Sequence, residues 1–127
     1  MADVWTARIT YAGPHRLDIT RKSGTGLGAM FAPSWGLLSP ILAMRKRGDH
    51  AGVEAAWPRY VELYKHEMRE CWRAHRATWA ELRSVPRVLV CYCTDPARCH
   101  RRVLAEILTR MGATDRGELA EGEVPRG

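Results

Sequence analysis

The chain has 127 residues, 46% of them apolar, enough for one domain with its own core and too few for two ordinary ones. Its formal charge is +6, and residues 1 to 113 carry +8, because the stretch TDRGELAEGEVPRG that follows them is acidic. No apolar run reaches the roughly 18 residues of a membrane helix, and MADVWTARIT does not read as a signal peptide, so the expectation is a cytoplasmic protein with four reduced cysteines and no membrane partner.

VWTARITYA alternates apolar and polar residues and ends at Gly13-Pro14, which predicts a strand. RLDIT, at 16–20, predicts a second and shorter one. RKSGTGLGAM, with glycines at 24, 26 and 28, predicts a loop. A short helix is expected near 35–47, interrupted or restarted at Pro40 and closed by Gly48-Asp49. The longest helix is expected over 58–83, with Pro58 in its first turn and an apolar stripe through Val61, Tyr64, Met68, Cys71, Trp72, Trp79 and Leu82. RVLVCYC is a near-continuous apolar run and predicts a buried, parallel, central strand. Asp95-Pro96 predicts the cap and first residue of a last helix that runs to Met111, with Gly112 at its C-terminus. The acidic stretch 114–127 is expected to be disordered. The fold class that follows is α/β: a small Rossmann-like sandwich of two or three layers with a short, largely parallel sheet.

Chemistry-bearing residues concentrate in CYCTDPARCHRR. On a helical wheel, His100 falls within the stripe of Val103, Leu104, Ile107, Leu108 and Met111, and Cys99 falls at its edge. Arg98 and Arg102 point away from the stripe, and Arg101 lies on a flank. Cys91 and Cys93 share one face of the strand. Cys91, Cys93, Cys99 and His100 are zinc-ligating types, but structural sites favour wider spacing between paired cysteines, so the reading favours no cofactor and keeps zinc as an alternative. A thiolate nucleophile at Cys93 or Cys99 would be favoured by a helix N-terminus and nearby arginines. Neither Cys93 nor Cys91 stands at the Cys-x5-Arg spacing of a phosphatase loop relative to Arg98. Free amides at the helix start, with Arg98, Arg101 and Arg102, would suit an anion. The structural alternative packs the cysteines as small apolar groups and bonds His100 to a backbone carbonyl.

A buried strand ending in cysteine, a short acidic turn and a Cys-His-Arg helix start, VLVCYCTDPARCHRRVLAEIL here, resemble the signature of the domain of unknown function 488 family. The aromatic-rich YVELYKHEMRECWRAH and the acid-then-arginine of LDITRKSG, Asp18 and Arg21, are similar to further family features. The resemblance implies a compact Rossmann-like α/β fold and suggests links to nucleotides or nucleic acids. It directs attention to Cys91, Cys99, His100 and Arg101.

The functional expectation is a phosphate-containing ligand, a nucleotide or nucleic acid, held at the carboxyl edge of the sheet. His100, Cys99 and Cys91 would be the catalytic candidates for Cys/His-dependent chemistry. Arg98, Arg101, Arg21, Asp18 and Lys22 would be the ligand-binding candidates, with Trp35 as a stacking residue. RKSGTGLG could cradle phosphate, although a plain turn is the simpler reading. Two alternatives of another class remain: a non-catalytic module that sequesters a ligand or contacts a protein, and a zinc-stabilised domain.

Overall fold

Residues 2–126 are described by a computed structural model of the chain. Among them, four strands form one sheet: β1 (Asp3–Arg8), β2 (Arg16–Asp18), β3 (Arg87–Cys91) and β4 (Thr114–Glu118). Their order is β2-β3-β1-β4, and every pairing is parallel. β3 is therefore interior, as its apolar run requires: Val88, Leu89 and Val90 are all fully buried. The expected α/β class with a parallel sheet is what the chain adopts.

The helices are α1 (Gly26–Ala29), α2 (Trp35–Lys46), α3 (His50–Ala74), α4 (Arg76–Ser84) and α5 (His100–Arg110). Their buried side chains join a single cluster with Val4, Ile19 and Leu89 on one face of the sheet. The other face carries a smaller cluster of Trp5, Ala7, Val88 and Val90, flanked by Ile9, Tyr11 and Leu119. Of the two layerings the sequence allows, the helices thus choose the two-layer form.

Local chemistry accounts for most boundaries. Ser34 caps α2 by accepting from Leu37 N, and Asp49 caps α3 by accepting from Gly52 N. α3 begins eight residues before the expected Pro58, because the buried stripe already starts at Val53 and Trp57 and continues through Tyr60, Tyr64 and Met68. Pro58 lies inside the helix and Pro40 inside α2, which is not restarted there. The carbonyls each proline would strip of a partner belong to Glu54 and Gly36, both on exposed residues, so water can satisfy them. The expected single helix is broken at His75, whose φ of −137° lies outside the helical region and whose side chain is exposed. The break brings Trp79 and Leu82 into the core.

The largest departure from the sequence reading is at the acidic end. Thr114–Glu118 is not disordered: it is the edge strand β4, paired to β1 through a bulge between Val4 and Thr6. Gly117, at φ 90°, provides the left-handed residue that the bulge needs. The acids that made this segment look disordered are counter-ions. Arg102 bonds Asp115, and Arg101 makes a bidentate pair with Glu118, its Nε and Nη2 donating at 3.0 and 2.8 Å. Thr6 Oγ1 also donates to Glu118 at 2.6 Å. Burial pushes the Glu118 carboxyl up, but the hydrogen bonds from Arg101 and Thr6 and the arginine charges outweigh it and hold its pKa below the ordinary value.

Glu118→Gln leaves the fully buried Arg101 guanidinium without its counter-charge. The expected loss is about 2–3 kcal/mol, at or under the low end for breaking a buried pair because Glu118 is partly exposed. A carboxylate with a depressed pKa contributes stability above its unfolded pKa and loses it as pH falls through the folded value. Urea unfolding at pH 7 and pH 3 should therefore show a gap between wild type and variant that closes in acid.

Candidate functional site

β3 ends at Cys91, and the chain passes through Tyr92 and Cys93 into a short 3-10 turn at Pro96–Arg98. Asp95 caps that turn by accepting from Ala97 N at 2.9 Å. Cys99 then extends, with φ −142° and ψ 142°, and serves as the residue before α5, which starts at His100. The last helix thus begins later than Asp95-Pro96 suggests. Cys99 is not on its wheel, and an extended Cys99 can turn its sulfur toward the strand end.

The consequence is convergence. The Sγ atoms of Cys91, Cys93 and Cys99 all lie within 4.8 Å of one another. Cys91 and Cys93 are 3.8 Å apart, sulfur to sulfur, because Cys93 has left the strand and is free to fold back. His100 Nδ1 stands 3.7 Å from Cys91 Sγ and 3.9 Å from Cys99 Sγ. The other ring nitrogen, Nε2, is 2.7 Å from the Ile19 carbonyl oxygen, to which it must donate, and Tyr64 packs edge-on at 5.5 Å. That bond fixes the tautomer of the neutral ring and turns the Nδ1 lone pair to the sulfurs.

Electrostatics divide the cluster. Hydrogen bonds from Cys91 and Cys99, helped by the Arg45 guanidinium, hold the Cys93 thiol well below the usual range. Hydrogen bonding to Cys93 pushes Cys91 up. Burial pushes Cys99 up to about 12. Burial also opposes charge on His100, but the Cys91 hydrogen bond and charge outweigh it and raise the ring's pKa. The Arg45 guanidinium, 3.2 Å from Cys93 Sγ, favours the thiolate form there.

Cys93 is also the sulfur with access to solvent. It lines a cleft of about 600 Å³ beyond the carboxyl end of β3, walled by Arg45, His50, Glu54, Tyr92, Asp95 and Arg98. Arg45 Nη1 donates to Cys93 Sγ at 3.2 Å and Nη2 donates to the Arg98 carbonyl. Arg45 is half-buried and makes no ion pair with a carboxylate among the described residues. The two acids of the cleft are engaged, Glu54 with Arg98 and Asp95 with the Ala97 amide.

A comparison with protein-family models matches residues 4–112 to the model described as the active DUF488-N3 subclade. The chain belongs to the DUF488 family. Comparisons with curated proteins and with solved structures found no match. In this DUF488 chain, no helix among the described residues is long and apolar enough to cross a membrane.

The remaining sequence candidates fall in three groups. Cys91, Cys99 and His100 come together, but all three are buried, so His100 reaches a ligand only through the sulfurs. Arg101 is a correction: it is fully buried, two of its nitrogens face Glu118 and Nη1 donates to the Cys93 carbonyl at 2.8 Å, leaving no nitrogen for a ligand. Arg21 is likewise engaged, with the carbonyls of Pro33 and Ala32. Asp18 turns into its own loop and accepts from Thr20 N and Ser23 Oγ. The glycine loop is explained by packing, since a Cβ at Gly28 would collide with the Asp18 carbonyl oxygen. Lys22 does not line the cleft but lies 5.3 Å from the ring of Tyr92, which does. Arg98 lines it. Trp35 is 52% exposed but sits about ten residues, or about 15 Å along α2, from Arg45 and does not line it.

Arg45 and Glu118 were missed by sequence reasoning. MRKR reads as a solvated helix end, yet Arg45 is four residues after the buried Ile41 and so shares its inward face. Glu118 was hidden by the composition around it. In chelator-treated, reduced protein, alkylation followed by mass spectrometry should label Cys93 before Cys91 and Cys99. Equal labelling of all three in folded protein would contradict the geometry.

Proposed function

We propose that the chain binds a phosphate-bearing ligand of nucleotide size in the cleft beside Cys93. The observation that carries this reading is Arg45: a half-buried guanidinium on the wall of a cleft at the carboxyl end of a parallel strand, whose Nη atoms bond Cys93 Sγ and the Arg98 carbonyl and no carboxylate among the described residues, so that its charge stays open to an anion. Ligands of open α/β sheets bind at that edge. The volume, about 600 Å³, falls within the range of small-molecule sites. The +8 charge of residues 1 to 113 favours an anion, and Lys22 over Tyr92 adds a cation at the rim.

The roles differ from those the sequence suggested. Arg45 takes the anionic group, Arg98 and Tyr92 shape the walls, and His100 and Arg101 support the cluster from behind. Cys93 is the sulfur that faces the ligand. The matched family model is described as an active subclade, which favours a reaction over sequestration alone.

Calorimetry against inorganic phosphate and nucleoside mono-, di- and triphosphates tests the reading. Wild type should bind at least one nucleotide more tightly than phosphate. Arg45→Met should weaken that binding by roughly tenfold or more, the worth of one charge-assisted hydrogen bond. No binding by folded wild type, or unchanged binding by Arg45→Met, would overturn it.

A further inference from the structure

The geometry points to a metal site: we propose that Cys91, Cys93 and Cys99 hold one soft divalent ion of the zinc type, with His100 Nδ1 as the fourth donor. This inference does not rest on the ligand proposed for the cleft.

Three observations carry it. The first is distance. A tetrahedral zinc–thiolate centre, with Zn–S of about 2.3 Å, requires sulfurs about 3.8 Å apart. Cys91 and Cys93 stand at 3.8 Å, and the third sulfur is within 4.8 Å of both. His100 Nδ1 lies at 3.7 and 3.9 Å from two of the sulfurs, slightly wider than a closed site. The second is orientation. Metal-binding histidines donate their other ring N–H to a carbonyl or carboxylate, which fixes the donor nitrogen. His100 Nε2 does this toward Ile19 O at 2.7 Å. The third is charge. Three thiolates on a divalent ion leave one net negative charge, and Arg45 Nη1 stands 3.2 Å from Cys93 Sγ to offset it.

The cluster is also built rather than incidental. Arg101 clamps the Cys93 carbonyl, and the extended Cys99 holds its sulfur over the strand end. Ion entry requires a path, and half-exposed Cys93 on the cleft wall provides one. Soft thiolate donors select zinc-like ions over magnesium or calcium. The short spacing between Cys91 and Cys93, which counts against zinc on a continuous strand, ceases to do so once the strand ends at Cys91.

The test uses the full chain, freed of metal and kept with a non-thiol reductant. Cobalt(II) titration should produce thiolate-to-cobalt charge-transfer absorption and tetrahedral d–d bands that saturate at one equivalent, and one equivalent of zinc should bleach them. Cys93→Ser, at a half-exposed position outside the strand, should weaken cobalt binding by more than about tenfold and reduce the charge-transfer intensity. Cys71→Ala should leave the titration unchanged, because Cys71 bonds Met30 O and Trp79 Nε1 instead. Absence of charge-transfer absorption in protein with a native circular dichroism spectrum would overturn the proposal. So would a Cys93→Ser titration identical to wild type.

Discussion

The structure turns on one buried cation. Arg101 has no exposed surface, and each of its guanidinium nitrogens is bonded: two to Glu118 on β4 and one to the Cys93 carbonyl. A guanidinium removed from water is tolerated only when paired and fully hydrogen-bonded. That requirement ties three segments together. It draws the acidic end of the chain onto the sheet as an edge strand, fixes the first turn of α5 against it, and holds the backbone of Cys93 where the chain leaves β3. Arg102 repeats the arrangement one residue later, with Asp115 and Thr6.

The sulfur cluster follows from that clamp and from two interruptions of regular structure. β3 stops at Cys91, and α5 does not begin until His100. Between them the backbone is neither strand nor α-helix, so Cys93 and Cys99 are freed from the periodicities that would separate them. His100, held by Ile19 and Tyr64, closes the inner side. The outer side opens on the cleft, where Arg45 faces Cys93. A donor set on the inside and a guanidinium on the outside meet at Cys93, the residue common to both proposals.

Much of this was legible in the sequence. The apolar run of β3 gave its burial and central position, and the Cys-His-Arg segment located the site. The periodicity of α5 correctly turned His100 inward. What could not be read has physical causes. A helical wheel assigns a direction only inside a helix, so Cys99, one residue before α5, was misplaced. Arg101 was placed on a flank because a wheel knows nothing of a counter-ion on another element. Glu118 sits in a segment whose composition resembles a disordered tail, and only its pairing with β1 and its ion pair to α5 reveal it as an ordered strand. Arg45 stands in the basic run MRKR, which looks like a solvated helix end, although its spacing of four from the buried Ile41 turns it inward.

The claim at the centre is that the Arg101–Glu118 pair holds the sulfur of Cys93 against its neighbours. An aryl arsenical, which bridges only thiols already close together, tests this directly in metal-free, reduced protein. The account predicts that wild type captures one equivalent and loses two of its four free thiols, and that folded Glu118→Gln captures it more weakly. Four free thiols remaining in wild type, or equal capture by the variant, would contradict it.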